Sequence, residues 1–167
     1  KKGFSNDVEG FLSFSLSVQN RRKSRIGYAL ENHLEEIFNS CGVYYSRTKI
    51  TENKSKPDFI FPSVEKYHDN TFNPQLLTML GVKNTCKDRW RQVLSEADKI
   101  EYKHLLTLET AISENQTNEM KDKKLQLVLP RSLHYTYNNS QQSWIIDFNT
   151  FINVVKEKQK NVYQIRH

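Results

Sequence analysis

Along the chain, the spacing of hydrophobic and polar residues alternates between the period of an α-helix and that of a β-strand, and this alternation predicts a layered α/β protein. Residues 24–41 place their apolar side chains on one face of a helix, which Gly42 would end. Residues 43–50 are rich in tyrosine and β-branched side chains and predict a strand. The polar residues 51–56 predict a turn. Residues 1–23 have no clean period and indicate either a strand or a packed arm.

Two apolar runs in the middle of the chain predict the centre of a sheet. Residues 59–61 form a short apolar strand between Pro57 and Pro62. Residues 76–82 are apolar on both faces, which is typical of a strand buried between two layers. The polar residues 63–75 that join the two runs predict a loop.

The second half of the chain predicts alternating helices and strands. A helix should follow Lys83, because Thr85 and Asp88 have the separation of a capping box and an apolar stripe runs from Trp90 to Ile100. Further elements are strands over 104–108 and 125–129, a polar helix over 113–122, a loop over 135–143 and an amphipathic helix beginning near Asp147. This order predicts an α/β layer with a mixed sheet.

Composition and charge favour a single domain that binds an anionic partner. A chain of 167 residues has room for one real core. Its net charge is +6, and the basic residues cluster over residues 21–25 and 83–91, which indicates nucleic acid. Two cysteines, Cys41 and Cys86, do not form a disulfide framework, and no apolar run is long enough to cross a membrane. Neither a glycine-rich phosphate loop nor a nucleophile elbow is present.

Three residues of the central segment have the chemistry of a metal-dependent phosphodiesterase. Asp58 stands before the strand over 59–61, Lys83 follows the strand over 76–82, and Glu96 lies on the next predicted helix. Phosphodiester hydrolysis needs a neutralised phosphate, an activated water and a stabilised leaving oxygen. Mg²⁺ prefers one or two carboxylates with phosphate and water. Asp58 and Glu96 could supply these carboxylates, and Lys83 could orient and help deprotonate the attacking water.

Helix periodicity leaves the second carboxylate open. At about 100° per residue, Glu96 shares a stripe with Arg89 and borders one side of the apolar face. Asp98 borders the opposite side of that face. Both acids can therefore reach the edge of the sheet.

The triplet Lys87-Asp88-Arg89 at the predicted helix start could read DNA bases. Lysine and arginine bind guanine O6 and N7, and a carboxylate accepts from cytosine N4. A basic-acidic-basic triplet can thus read adjacent G·C pairs in the major groove.

These segments together resemble the catalytic block of EcoRII-type restriction endonucleases. The resemblance is specific over residues 76–108 and extends over roughly residues 20–160. The matching segments, in chain order, are 24–31, 56–59, 80–98, 103–108 and 127–130.

The resemblance implies a restriction-endonuclease-like PD-(D/E)xK core, with a mixed β-sheet flanked by helices, that cuts double-stranded DNA with Mg²⁺ as a homodimer. One position departs from the general superfamily pattern, because the acid expected two residues before the lysine is Gly81 here. In this subgroup the missing carboxylate comes from the following helix, which favours Glu96 over Asp98. A first-helix glutamate often assists the metal site. Glu31 is our choice, and Glu35, one turn further, stays open.

The same resemblance assigns base recognition to Lys87, Asp88 and Arg89, with Arg25 and Arg91 as further expected DNA contacts. The target would be a short near-palindromic site with outer CC and GG pairs, of the CCNGG or CCWGG type. The central base pair stays open.

We divide the chain into an N-terminal arm or linker over residues 1–23 and an endonuclease domain over residues 24–167. The enzyme for which the family is named carries a separate N-terminal effector domain, so a domain before Lys1 is one expectation. We expect a type II restriction endonuclease in a prokaryotic cytoplasm, with no membrane association. The alternatives are a non-catalytic sequence-specific DNA-binding module and a structure-specific or repair nuclease.

Overall fold

A five-stranded mixed sheet forms the centre of the fold. The computed structural model describes residues 8–19, 26–87 and 89–164. The strands are β1 (Ser46–Arg47), β2 (Phe59–Phe61), β3 (Thr78–Lys83), β4 (Lys103–Thr107) and β5 (Leu125–Val128). They lie side by side in chain order; β2 is antiparallel to β1 and β3, whereas β3, β4 and β5 are parallel. The predicted mixed sheet is confirmed.

Helices cover both faces of this sheet. Within the described residues they are α1 (Val8–Gln19), α2 (Ile26–Ser40), α3 (Val64–His68), α4 (Trp90–Leu94), α5 (Glu114–Asp122), α6 (Asn139–Gln142) and α7 (Phe148–Gln164). Short 3-10 helices occur at Glu52–Lys54, Pro74–Leu76 and Arg131–Thr136. None of the helices described here is long and apolar enough to cross a membrane.

Alternation of side chains along the strands divides the apolar residues into two cores. The core beneath α1, α2 and α7 centres on Phe38, whose ring makes edge contacts with Phe59 and Phe61. The core beneath α3, α4 and α5 takes Met79 from β3 and Trp90 from α4. Each fully buried aromatic or aliphatic side chain contributes about 1.5–3 kcal/mol, so the cores fix both helical layers on the sheet.

The strand that was one prediction for residues 1–23 is wrong over the described part, which is helix α1. Phe11 and Leu12 are buried in the core with α2 and α7, and Ser15 is buried one turn further along the same face. A buried serine counts as polar in a periodicity analysis, so the apolar stripe of this helix was interrupted in the sequence.

Several loops and strands also differ from the prediction. The strand over 43–50 is reduced to β1, because Thr48 takes a positive φ of 49°. The loop over 63–75 contains helix α3, whose N-cap Ser63 accepts from the Lys66 amide. The loop over 135–143 contains helix α6, which begins with a capping box.

The helix predicted after Lys83 is much shorter than its apolar stripe suggests. It begins at Trp90 without a side-chain cap, so the predicted Thr85 and Asp88 box does not start it, and Asp88 lies outside the described residues. It ends at Leu94, and Ala97 then takes a positive φ of 51°. Glu96 therefore lies in a turn, and the helix-phase argument for its direction was wrong.

Candidate active site

Asp58 and Lys83 meet at one edge of the sheet. Asp58 immediately precedes β2 and Lys83 ends the antiparallel neighbour β3, so the two residues reach the same edge. The Asp58 Oδ2 accepts hydrogen bonds from the Lys83 Nζ at 3.0 Å and from the Val82 amide at 2.6 Å. Only 16% of the Asp58 side chain and 17% of the Lys83 side chain is exposed. The carboxylate is thus held in a fixed position beside the lysine.

Gly81 allows helix α4 to approach β3 closely at this edge. Phe59 pairs with Leu80, so the antiparallel register brings Asp58 level with Gly81. A Cβ atom added to Gly81 would lie 2.9 and 3.1 Å from the two methyl groups of buried Val93 on α4. Because a carboxylate cannot be accommodated at position 81 without moving α4, an acid can enter this region only from another segment.

Glu96 enters from the turn after α4. Burial raises the pKa of its carboxyl to about 7, while the nearby Lys83 ammonium lowers this pKa and the nearby Asp58 carboxylate raises it. The Glu96 Oε2 is buried and has no hydrogen-bond partner among the described residues. The structure therefore brings Asp58, Lys83 and Glu96 together. The other candidate, Asp98, is exposed, and its amide donates to the Glu52 carboxylate at 3.3 Å.

Lys103 supports the turn that carries Glu96. Its buried ammonium donates to the carbonyl oxygens of Ala97 at 3.2 Å and Ile100 at 2.8 Å. The same ammonium lowers the pKa of the Glu96 carboxyl by its charge. Sequence reasoning assigned Lys103 only to a matching segment, because its contact with the turn forms through the fold.

Glu31 lies at the same cleft as Asp58. Arg47 on β1 donates to the Glu31 carboxylate at 2.9 Å and to the Glu35 carboxylate at 2.5 Å. Burial lowers the pKa of the Arg47 guanidinium, but these two bonds raise it by more. An open cleft of about 550 Å³ is lined by Glu31, Asn32, Arg47, Thr48 and Asp58. Sequence reasoning missed Arg47, which forms ion pairs with both Glu31 and Glu35, the two candidates left open.

The expected base-reading residues lie on an exposed turn between two buried anchors. Lys87 and Arg89 are exposed, whereas Cys86 and Trp90 on either side of the turn are buried. Asp88 and Arg25, two further expected DNA contacts, lie outside the described residues.

Arg91 is directed toward a neighbouring helix. Its guanidinium bonds the Glu119 carboxylate on α5 at 2.7 Å and lies 4.6 Å from the ring centre of Trp90. A sequence-based expectation of DNA contact could not include this ion pair, which forms between residues distant in the chain.

A carboxylate that the sequence did not single out contacts the recognition turn. Glu109, which follows β4, accepts from the amides of Cys86 and Lys87. Only the parallel pairing of β3 and β4 brings these segments together.

The carboxylates of the site fit a hard divalent cation whose coordination shell is completed by substrate and water. Among residues 8–19, 26–87 and 89–164, no three His, Cys, Asp or Glu side chains are grouped closely enough to hold a metal by themselves. Mg²⁺ commonly takes only one or two carboxylates from the protein. Asp58 and Glu96 supply two, and the unpaired buried Oε2 of Glu96 is an acceptor that such a cation would satisfy.

Comparison with known proteins identifies the family. Residues 1–152 match the family model described as EcoRII C terminal. The chain is 47% identical over 153 residues to the type II restriction enzyme EcoRII of Escherichia coli, a match that covers 91% of this chain and 38% of that protein. The chain thus spans well under half the length of this relative.

Two solved structures share the fold. Metal-depleted Ecl18kI in complex with uncleaved, modified DNA has a TM-score of 0.70 at 22% identity, covering 88% of this chain and 50% of that chain. Metal-depleted Ecl18kI in complex with uncleaved DNA has a TM-score of 0.73 at 22% identity, covering 92% and 52%. The expected PD-(D/E)xK core is confirmed, and the chain belongs to the EcoRII C-terminal family.

Proposed function

We propose that this chain is the catalytic domain of a type II restriction endonuclease that makes Mg²⁺-dependent double-strand cuts in DNA. The observation that carries the proposal is the meeting of Asp58, Lys83 and Glu96 at one edge of the sheet. Two carboxylates beside a lysine, in a family that includes a restriction enzyme, are the groups that phosphodiester hydrolysis requires.

Each side chain of the cluster has a proposed role. Asp58 and Glu96 would hold Mg²⁺, which when bound neutralises the scissile phosphate and favours ionisation of water. Lys83 donates hydrogen bonds to the attacking water and the phosphate, and Asp58 keeps its ammonium in place. Glu96 must lose its proton before it can bind a cation, and the Lys83 charge favours that loss. Glu31 assists from the cleft that it shares with Asp58.

Sequence recognition is proposed for the exposed turn after β3. Lys87, Asp88 and Arg89 would read the outer CC and GG pairs of a CCNGG or CCWGG type site. Arg25 and Arg91 would contact phosphates, in agreement with the net charge of +6.

We also propose a homodimer, because a near-palindromic site has two-fold symmetry and each strand needs its own active site. An effector domain before this segment and a place in a prokaryotic cytoplasm stay predictions.

The test is digestion of a sequenced plasmid, followed by sequencing of the product ends. We expect uniform ends at sites with outer CC and GG pairs with Mg²⁺, and no cutting in EDTA or by Asp58→Ala. Asp122→Ala, the same change at an exposed position at the end of helix α5, is the matched control and should cut normally. Tight site-specific binding without cutting would favour the DNA-binding module, and cutting only at junctions or lesions would favour a repair nuclease.

A further inference from the structure

We propose that Glu109 is a positioning residue for DNA recognition, because its carboxylate holds the backbone of the turn that presents Lys87 and Arg89. The inference rests on the proposed function, since it concerns how this turn meets the bases. Glu109 itself would touch no DNA.

One carboxylate oxygen of Glu109 accepts from two successive backbone amides. The Oε2 bonds the Cys86 amide and the Lys87 amide, the latter at 3.3 Å. Lys87 has a φ of 26°, a backbone conformation that residues with a Cβ rarely adopt without support from their surroundings. The Arg89 amide closes the turn by donating to the Cys86 carbonyl at 2.6 Å. Glu109 therefore supplies the support at the point where the turn needs it.

Glu109 is itself fixed to the sheet. Its amide donates to the Thr107 Oγ1 at 3.2 Å, and its carbonyl accepts from the hydroxyl of buried Tyr137 at 2.7 Å. The Thr107 hydroxyl also donates to the Asn84 carbonyl at 3.4 Å, just after β3. These hydrogen bonds connect the recognition turn to the ends of β3 and β4, so the turn keeps a fixed position relative to the active site.

Charge gives a second reason for this role. A free carboxylate beside exposed Lys87 and Arg89 would oppose the attraction of this basic surface for phosphates. Glu109 instead directs its Oε2 at two amide protons, where negative charge strengthens the hydrogen bonds. Its removal should therefore change the shape of the turn without weakening non-specific attraction to DNA.

The experiment compares wild-type protein, Glu109→Ala, Glu109→Gln and the control Glu101→Ala. Glu101 is an exposed acid at the opposite end of β4. Binding is measured in EDTA to a duplex with the CC/GG site and to one with an outer pair exchanged. We expect Glu109→Ala to reduce the ratio of the two affinities about tenfold or more, with non-specific affinity unchanged or higher. Glu109→Gln should retain part of the ratio because its amide oxygen can still accept, and Glu101→Ala should retain all of it.

An NMR measurement tests the contact without DNA. In Glu109→Gln the amide proton of Cys86 should move upfield, because a neutral acceptor polarises the N–H less than a carboxylate does. Unchanged Cys86 and Lys87 amide shifts would overturn the inference, and so would full discrimination by a folded Glu109→Ala protein. If Glu109→Ala does not fold, the ratio of the two DNA affinities and the amide shifts of Glu109→Gln together decide the test. Wild-type protein that discriminates no site would overturn the proposed function and the recognition role together.

Discussion

Replacing Glu96 by glutamine should stabilise the metal-free domain, by an amount that grows with pH. Burial raises the pKa of Glu96 from 4.5 to about 7. Between these values the native state binds a proton that the unfolded chain has lost, so the free energy of unfolding falls as pH rises through this range. Above about pH 7 the native carboxyl is also ionised, and the loss levels off. Glutamine keeps the shape of the side chain and has no charge to bury.

The size of the effect follows from the shift. At about 1.4 kcal/mol per pKa unit, a rise from 4.5 to about 7 corresponds to about 3.5 kcal/mol. The Glu96 side chain is only partly buried, and solvent screening reduces this to about 1–2 kcal/mol. At pH 5 the native carboxyl is still protonated while most of the carboxyl in the unfolded chain is already ionised, so the difference between the variant and wild type should be smaller, about 0.7 kcal/mol.

The assay is urea unfolding in EDTA at pH 5, 6, 7 and 8 of wild-type protein, Glu96→Gln and Glu36→Gln. Glu36 is exposed on helix α2, so its variant controls for the general loss of one negative charge. The reasoning would be refuted by a difference between Glu96→Gln and wild type that stays constant over this range. A variant less stable than wild type at pH 8 would refute it equally.

Three further results should follow from the packing and charge of the site. Gly81→Ala should lower the free energy of unfolding, measured by thermal unfolding, by about 1–3 kcal/mol, because the added Cβ would lie too close to Val93. Adding Val93→Ala to the same chain should restore part of the lost stability. A single variant as stable as wild type would contradict this prediction. Lys103→Met should lower the single-turnover rate of DNA cleavage about tenfold and leave DNA binding unchanged, because the turn that carries Glu96 loses the ammonium that donates to its carbonyls. An unchanged rate would argue against a supporting role for Lys103. Calorimetry should show Mn²⁺ binding more tightly at pH 8 than at pH 6, because Glu96 must release a proton before it can bind the cation. Asp58→Ala should abolish the binding. Equal Mn²⁺ affinities at the two pH values would count against Glu96 as a ligand.

The sequence by itself determined the elements whose signals are local. Helix α5 follows the Ser113 cap, and the amphipathic helix α7 begins at Phe148, immediately after Asp147. The apolar runs that became β3 and β5 predicted strands, and the alternation of helices and strands predicted the mixed sheet. Such signals succeed because caps and side-chain periods act over a few residues.

Only the tertiary structure decided how the site is assembled. Helix α4 ends at Leu94, and Lys103, reached through the fold, binds the carbonyls of the turn that follows and carries Glu96. The pKa of Glu96 depends on burial between segments that the sequence cannot measure. Glu109 reaches the recognition turn because β3 and β4 pair in parallel. Residue types and local periodicity can be read directly from the sequence, whereas burial and contacts between distant segments arise only when the layers pack.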